Sequence, residues 1–447
     1  MGNKQSGTKT KRSEGSLHPQ ERKRLTIFLD ERKGSAKFTF LEIKRLWSDF
    51  LTPSLLESYA NFLLKSTDGR RDEIDLDDFI SIYVKIIRGS SNEKAKCIAT
   101  ILGTQTNQEG VEIISYQSLC KYLSDLLKSY FFGLKSRKDD SYTSWNCDEP
   151  RENVIEEVIR GVCNDLQRTD DEVKEDLFED WLHHSGLVNT LHCYVLGSMY
   201  NLEPEHQFNL IPYAQFPANI SEHKVSLLLD PSQVVYLNSF LPSEHKEVWR
   251  FLFSTDSHGE SFSKFVGCIV NQGPILVVVR TANNNTFGGF ISTNVTLSPK
   301  WIGSEGSFLF KLGSSVDVFT GTGYNDHYAY LNCSQSTLPN GLGMGGQYGY
   351  WGLWIDSQFG VGECSETCTT YKNYKMLDSG KKFHIKNLEV WAVGEPPPTE
   401  EELGERSTSK TGRSALDQDP ASATILEMAG REMHSKGIRE GMAKKKH

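Results

Sequence analysis

The chain has 447 residues, of which 58 are acidic, 49 are basic and 38% are hydrophobic, with a net charge of −9. This length predicts roughly two to four domains, and the acidic balance argues against nucleic acid as a partner of the whole chain. The longest aliphatic run, at residues 275–279, is far shorter than the roughly 20 apolar residues that span a bilayer, so no transmembrane helix is expected. Nine scattered cysteines and the lack of an apolar signal peptide favour free thiols in a reducing cytosolic compartment.

Residues 1–24 are a basic N-terminal segment. The first six, MGNKQS, fit the pattern for myristoylation of Gly2. One myristoyl chain gives only marginal membrane binding, and a net charge of +5 over this segment supplies a second attachment signal. The alternative is a solvated basic tail whose Met-Gly start is accidental. The basic side chains expected to contact an anionic membrane surface are Lys4, Lys9, Lys11 and Arg12.

Residues 25–200 are predicted to be mainly helical, because apolar residues recur there at helical spacing. The predicted helical segments are 25–28, 43–50, 55–64, 79–87, 119–127, 154–166 and 187–200. Four polar loops in this region share a central apolar residue followed by another five positions later. These pairs are Phe38/Ile43, Ile74/Phe79, Ile114/Leu119 and Val173/Phe178. The repetition resembles EF-hand units, in which the eighth loop residue forms a short strand with a partner loop.

The four loops depart from the calcium-binding pattern at their ligand positions. Oxygen donors are required at positions 1, 3, 5 and 12. Cations stand there instead, at Lys33, Arg71 and Arg168, and they would repel the metal. We therefore expect a helical scaffold or partner-binding lobe with no metal or other cofactor. A residual site in the acidic segment 68–78, and with it a calcium-responsive adaptor, is left as an alternative.

The composition changes after the turn-rich segment 204–217. Residues 226–395 hold 20 of the 37 glycines and five of the eight tryptophans. Short apolar runs bounded by Gly, Asn and Asp follow one another, which predicts an antiparallel β-sandwich. The predicted strands are 265–270, 275–280, 287–291, 307–312, 328–331, 352–355 and 383–391.

Three features of this region invite a chemical interpretation. The glycine-rich run 341–346 resembles a nucleotide loop, but it lies outside any βαβ unit and lacks the P-loop Lys-Ser/Thr. The run 256–258 contains Asp, Ser and His, yet adjacent residues point in different directions, so His258 is predicted to be structural. Cys364 and Cys368 have no second ligand pair, and their acidic neighbours are expected to raise the thiol pKa. We therefore predict no catalytic residues and no enzyme.

Four segments carry a family resemblance. They are WRFLFSTDSHGES at 249–261, FGGF at 287–290, the run 341–356 with its GLGMGG and GLWID motifs, and FHIKNLEVW at 383–391. In this order they resemble the TLDc-domain family. The resemblance implies an α+β chain, with a helical EF-hand-like N-terminal region, a TLDc sandwich flanked by helices at 226–395, and a C-terminal tail helix.

The resemblance also implies a function without catalysis. TLDc proteins are similar in binding the vacuolar proton-pumping ATPase, so its subunits are expected partners. With the myristoylation pattern and the helical region, the chain resembles TLDc members that support TOR signalling at the lysosome. Proteins of the TOR kinase pathway are therefore expected partners, and the cytosolic face of the lysosomal membrane and the cytoplasm are the expected location. Some members are credited with oxidation resistance, so an oxidation-resistance protein acting through thiol or catalytic chemistry is the alternative.

The C-terminal part consists of an acidic, proline-containing linker at 396–418 and a basic tail at 419–447. Asp419 is predicted to cap a helix that has Pro420 at its first position. A basic amphipathic helix with methionines suits a partner groove, such as one on an acidic subunit or on calmodulin. Three glycines weaken this helix, which would then form on binding, and a disordered tail without a partner is the alternative. The expected contact residues are Ile425, Leu426, Met428, Ala429, Arg431 and Met433.

Overall fold

A computed structural model describes residues 17–33, 37–66, 73–106, 110–202, 210–218 and 227–397. The chain divides into a unit at 1–395 and a second unit at 396–447, and the architecture below is that of the first. In the described ranges, no helix combines the length and the apolar character that crossing a bilayer requires.

The N-terminal half of this unit is helical, as predicted. All seven predicted helical segments overlap helices, while three further helices in the described residues, α5, α7 and α9, were not predicted. Directly after α4, the chain continues as a π-helix at Val84–Arg88. The bounds are α1 Pro19–Lys33, α2 Phe40–Trp47, α3 Pro53–Ser66, α4 Leu76–Tyr83, α5 Ser91–Leu102, α6 Tyr116–Arg137, α7 Asp140–Thr143, α8 Glu152–Val162, α9 Glu175–His184 and α10 Gly186–Met199.

Short strands pair the four predicted loops two by two. Their bounds are β1 Lys37–Thr39, β2 Glu73–Asp75, β3 Gln105–Thr106, β4 Glu112–Ser115 and β5 Glu172–Lys174. Antiparallel pairing places Phe38 opposite Ile74, and Ile114 opposite Val173. A helix begins directly after each of β1, β2, β4 and β5. The central apolar residues therefore lie in paired strands as expected, while the assignment to EF-hands stays a prediction.

A buried hydrogen-bond chain connects α3, α6 and α10. The hydroxyls of Tyr59 and Tyr122 are 2.9 Å apart, and the Tyr122 hydroxyl lies 2.8 Å from His192 Nε2. His192 Nδ1 lies 2.8 Å from the Val188 carbonyl oxygen, which can only accept. Burial lowers the pKa of His192 to about 4, so the ring is neutral, with Nδ1–H donating to Val188 and Nε2 accepting from Tyr122. This hydrogen-bond chain therefore links α3, in the part of the protein that pairs through β1 and β2, to α6 and α10, in the part that pairs through β3, β4 and β5.

The described residues in the second half of the unit, 210–218 and 227–395, are predominantly β, with three helices and a 3₁₀ turn at Ser243–His245. The helices are α11 Pro231–Ser239, α12 Thr255–His258 and α13 Phe262–Ile269. The strands are β6 Tyr213–Gln215, β7 Val248–Ser254, β8 Ile275–Thr281, β9 Thr286–Ile291, β10 Ser298–Ile302, β11 Phe308–Leu312, β12 Val316–Thr320, β13 Ala329–Asn332, β14 Gly341–Gln347, β15 Tyr350–Asp356, β16 Val361–Glu363 and β17 Lys382–Val393.

These strands form two layers that share β17. Sheet I has the order β7-β17-β8-β9-β11-β12, with β6 added in parallel beside β7, and sheet II has the order β10-β13-β14-β15-β16-β17. All other pairings are antiparallel. The start of β17 pairs with β16 and the rest with β8. Inward side chains of both sheets form one core, which includes Val277, Phe287, Leu342 and Leu353. The predicted antiparallel sandwich is thus observed.

One predicted strand is wrong. Residues 265–270 belong almost entirely to α13, whose first turn is capped by Ser261 Oγ, the acceptor for the Lys264 N–H. The buried residues Phe262, Phe265, Val266 and Ile269 follow helical spacing, so the helix presents a single apolar face to the sandwich core. The apolar run at 265–270 does not include Phe262, and taken alone it resembles a strand.

The helical half covers the face of sheet I that points away from sheet II. The Trp145 ring lies 4.9 Å from that of Trp391 and 5.7 Å from that of Trp249. Arg160 Nε on α8 donates to the Ser314 carbonyl oxygen at 2.5 Å. Helices and sheet I share one hydrophobic core, so the unit has three layers: helices, sheet I and sheet II.

A buried carboxyl group joins the start of the sandwich to β17. Glu389 Oε2 accepts from the Leu228 N–H at 2.8 Å, and Oε1 accepts from Trp391 Nε1 at 2.6 Å. Burial raises the pKa of Glu389 to about 7, although both hydrogen bonds act in the opposite direction. Glu389 is thus a group that titrates near neutrality inside the fold.

Candidate functional site

Stacked aromatic rings cover the outer side of sheet II. The rings of Trp351 and Trp354 are 4.4 Å apart and nearly parallel, and Trp301 stacks on His327 at 4.4 Å and on Tyr348 at 5.5 Å. Stacking at these distances is favourable beyond the area that it buries. We call this set the aromatic face; it consists of Trp301, His327, Tyr330, Tyr348, Trp351 and Trp354.

The glycine-rich run 341–346 lies beneath this face. It forms most of β14 and so is part of sheet II itself. A Cβ at Gly343 would lie 2.4 Å from the Trp351 ring, and one at Gly341 would lie 2.5 Å from the Trp354 ring. The glycines are therefore needed because the indoles lie directly on the strand, which explains the motif without a nucleotide.

The aromatic face ends in exposed tyrosine. Tyr348 is 43% exposed at the β14–β15 turn, and the neighbouring Tyr350 is 57% exposed, whereas Trp351 is 4% exposed. His327 is held in place because its Nδ1 lies 2.6 Å from the Gly346 carbonyl oxygen. Exposed tyrosines on a rigid aromatic support are typical of protein-binding surfaces. This geometry makes the aromatic face a candidate interaction surface.

A cleft of about 720 Å³ lies between the helices and the sandwich. Its wall includes Arg88, Asp165, His184 and Lys246, which come from four separate parts of the chain. Lys246 Nζ donates to the Ser239 carbonyl oxygen at 3.0 Å, and burial lowers the pKa of the ammonium group. The cleft thus has mixed charge, without a concentration of one sign.

The run 256–258 serves the local fold. The Ser257 N–H donates to Ser254 Oγ at 3.1 Å, and His258 Nδ1 accepts from the Ser254 N–H at 3.1 Å. The His258 ring stacks on Phe253, and burial lowers its pKa. The polar atoms of Ser254, Ser257 and His258 therefore close the short helix α12, in line with the structural histidine that was predicted.

Cys364 and Cys368 have separate surroundings. Cys364 Sγ donates to the Gly380 carbonyl oxygen at 3.5 Å, while Cys368 Sγ lies close to Gly345 and Gly352. The pKa of both thiols is raised, as expected, but mainly by burial and not by the acidic neighbours named in the sequence analysis. All nine cysteines are free thiols in the structure.

The third and fourth loops use their polar groups on one another. Asp171 Oδ2 accepts from Ser115 Oγ at 2.8 Å, and Asp171 Oδ1 accepts from the Gln117 N–H at 2.9 Å. The Arg168 guanidinium lies 3.8 Å above the Tyr116 ring. In the part of the chain that the structure describes, no group of three His, Cys, Asp or Glu residues has a metal-binding arrangement. The carboxylate of Asp171 thus joins two loops.

The residues predicted from sequence to contact a membrane or a partner are terminal and lie outside the described residues. The sandwich surface and the Trp145 junction had no sequence-based assignment, although the five clustered tryptophans were a usable signal. The terminal residues concerned are Gly2, Lys4, Lys9, Lys11, Arg12, Ile425, Leu426, Met428, Ala429, Arg431 and Met433.

Comparison with known families defines the class of the sandwich. The family model described as TLDc domain matches residues 223–394, which include sheet II, the glycine strand and most of sheet I. The sandwich is a TLDc domain. Nuclear receptor coactivator 7 of Homo sapiens is similar over a shorter stretch, with 29% identity over 169 residues, or 37% of this chain and 17% of that protein.

Other relatives match most of the chain. MTOR-associated protein MEAK7 of Xenopus laevis is 34% identical over 386 residues, which cover 82% of this chain and 81% of that protein. The Homo sapiens protein of the same name is 33% identical over 394 residues, which cover 83% of this chain and 81% of that protein. The chain therefore belongs to the family of these mTOR-associated TLDc proteins.

Proposed function

We propose that this protein is a non-enzymatic adaptor at the cytosolic face of the lysosomal membrane that binds the vacuolar proton-pumping ATPase and supports TOR signalling. The observation that carries the proposal is the similarity to mTOR-associated relatives over about four-fifths of the chain. Such a match includes the helical half as well as the sandwich. A function in the TOR pathway therefore rests on the whole architecture, beyond the TLDc domain alone.

The geometry supports a binding role. Helices and sheet I share a continuous core, so the TLDc domain is held on a helical support. The aromatic face is the surface proposed to contact a subunit of the ATPase, since stacked indoles beneath exposed tyrosine offer a large apolar area that loses little side-chain entropy on binding.

Membrane attachment is assigned to the N-terminus. Myristate on Gly2 and the basic residues that follow provide the two signals that stable anchoring requires. The tail at 419–447 is proposed to contact a second surface of the ATPase, because the net charge of +3 over residues 421–447 and the methionines suit an acidic groove. Attachment and regulation would then depend on opposite ends of the chain.

Affinity purification of the full chain from membranes, followed by mass spectrometry, tests the proposal. We expect subunits of the ATPase and TOR pathway proteins with the wild type, and a loss of the membrane fraction with Gly2→Ala. Recovery of no ATPase subunit with either chain would contradict the proposal. Deletion of 419–447 should alter pump activity more than localisation, and an equal loss of both would contradict the separate roles of the two ends.

A further inference from the structure

The cleft between the helices and the sandwich has large apolar side chains in its wall. Trp181, Leu187 and Tyr194 line it from α9 and α10, and Tyr236 lines it from α11. Phe240, the C-cap residue of α11, also lines the cleft and is 37% exposed, although its ring packs 5.1 Å from that of Tyr236. Exposed apolar and aromatic walls around a volume of about 720 Å³ are typical of a ligand site.

The charged groups of the wall do not select a charged ligand. Of its two partly buried cations, Arg88 pairs with Glu21 of α1, and Lys246 Nζ donates to the Ser239 carbonyl oxygen at 3.0 Å. The acidic residue of the wall, Asp165, is exposed to solvent. Neither sign of charge is concentrated in the cleft, so the ligand class that fits its apolar walls is an uncharged hydrocarbon chain.

The first described turn of the chain lies at this cleft. Leu17 is 7% exposed and belongs to the hydrophobic core of the helical half. Glu21, in the first turn of α1, pairs with Arg88 of the cleft wall. Residues 2–16 connect Gly2 to this point, and fifteen residues span up to about 50 Å when extended. A group attached to Gly2 can therefore reach the cleft.

We propose that the cleft binds the myristoyl chain of Gly2 and releases it when the protein attaches to a membrane. The inference rests on the proposed myristoylation of Gly2 and adds a site that regulates it. One myristoyl chain binds a bilayer only marginally, so an apolar cleft in the same molecule competes effectively with the membrane for it. The fraction of molecules with a released chain then sets the apparent affinity for the membrane.

Cys193 provides a reporter in the cleft, because it lines the wall from α10 as a half-buried free thiol. In the myristoylated full chain, alkylation of Cys193 by N-ethylmaleimide should be about fivefold slower than in Gly2→Ala, since the cleft is then open in only about one molecule in five. Vesicles of phosphatidylcholine and phosphatidylserine should restore the rate. Cys268, which is half-buried on α13 and outside the cleft, is the control and should react equally in both proteins. Equal rates at Cys193 in the two proteins would overturn the proposal.

A matched pair of substitutions tests the membrane side of the equilibrium. Thr190 lines the cleft from α10 and donates to the Gly186 carbonyl oxygen at 2.8 Å, and Thr100 makes the same contact with Lys96 on α5, away from the cleft. Thr190→Trp should fill the cleft, release the chain and raise sedimentation of the myristoylated protein with the same vesicles by about fivefold. Thr100→Trp should bind as the wild type does. Equal vesicle binding by the two folded variants would contradict the site.

The intact mass of the full chain, co-expressed with N-myristoyltransferase, separates this inference from the proposed function. Absence of an acyl group on Gly2 would contradict the membrane anchor and, with it, the cleft site. An acylated chain that binds vesicles while Cys193 reacts as in Gly2→Ala would overturn the cleft site alone and leave the anchor in place. The Cys193 comparison needs no substitution in the cleft, so it decides the proposal even where Thr190→Trp fails to fold.

Discussion

Tryptophans lie on both outer sides of the TLDc sandwich, in two different states. On sheet I, Trp249 and Trp391 are fully buried beneath Trp145 of the helical half. On sheet II, Trp351 and Trp354 stack on each other under partly exposed Tyr348. The first cluster is covered by another part of the same chain, and the second is covered largely by its own rings.

The indole nitrogens show the same difference. In the inner cluster, Nε1 of Trp145 donates to the Pro212 carbonyl oxygen at 2.7 Å, and Nε1 of Trp249 donates to Asn238 Oδ1 at 3.1 Å. In the aromatic face, the contact from Trp354 Nε1 to Asp356 Oδ2 is 3.5 Å long. A satisfied, dry cluster stabilises a fold, whereas an open stack offers area to a partner. We therefore assign stability to the inner cluster and recognition to the aromatic face.

Truncating the inner cluster should have the largest effect on stability. Trp391→Ala is expected to lower the free energy of unfolding by about 3–5 kcal/mol, because it leaves a cavity at the helix–sheet junction and removes the donor to Glu389. Urea denaturation followed by far-UV circular dichroism measures the change. Trp391→Phe keeps most of the side-chain volume and should lose less stability. A wild-type urea midpoint for Trp391→Ala would contradict the assignment of stability to the inner cluster.

The carboxyl beneath this cluster should make stability depend on pH. Burial raises the Glu389 pKa from its usual 4.5 to about 7, so the stability that protonated Glu389 provides is complete below about pH 4.5 and is lost as the pH rises through 7. The expected contribution to this loss by pH 8 is about 3 kcal/mol, given 1.36 kcal/mol per unit of pKa. Glu389→Gln should remove that dependence. Relative to the wild type at the same pH, the stability of the variant should be higher at pH 8 than at pH 5, as urea midpoints at both pH values would show. Parallel pH profiles of the two proteins would contradict this role.

Local patterns predicted much of the architecture. The strands around Ile114 and Val173 were predictable, because each of these apolar residues stands at the centre of a polar loop and is followed by another apolar residue five positions later. The strands of the sandwich were predictable from alternating apolar runs, but α13 was missed because Phe262, the residue that completes its helical spacing, lies outside the run that resembles a strand.

Long-range juxtapositions could not be predicted in the same way. Trp145 meets Trp391 through the packing of a helical half on a sheet, and Tyr59 meets Tyr122 through the contact of α3 with α6. Neither pair has a signature in spacing, because each depends on how complete elements pack. The glycines of β14 were visible as a motif, yet their purpose depends on the rings of Trp351 and Trp354 on the next strand.

Two identical substitutions in helices can locate the helix–sheet junction more finely. In Gly161→Ala the added Cβ would lie 2.4 Å from the Val316 carbonyl oxygen, so we expect a loss of about 1–3 kcal/mol. In Gly267→Ala on α13 the Cβ meets nothing within 4 Å, and better helix propensity should stabilise by up to about 1 kcal/mol. Thermal unfolding of both variants gives the comparison. Equal shifts of the same sign would show that the α8 contact with β12 is not tight.

Truncating a side chain of the aromatic face should have the smallest effect on stability and the largest effect on binding. Tyr348→Ala removes a side chain that is 43% exposed and stacks on Trp301, so the expected loss of stability is at most about 1 kcal/mol. If the aromatic face contacts the ATPase, the same variant should lose about 2 kcal/mol or more of binding free energy, roughly a thirtyfold weaker complex, as truncated interface hot spots do. Titration of purified ATPase subunits against the labelled full chain measures this.

Tyr324→Ala provides the matched control for that experiment. Tyr324 is 82% exposed, more than Tyr348, but it is not a member of the aromatic face. If exposure of a tyrosine were sufficient, both variants would weaken binding equally; if the stacked support matters, Tyr348→Ala alone should do so. Wild-type affinity in a folded Tyr348→Ala variant would show that the aromatic face is not part of the binding surface. This substitution tests recognition separately from packing, because its expected effect on stability is small.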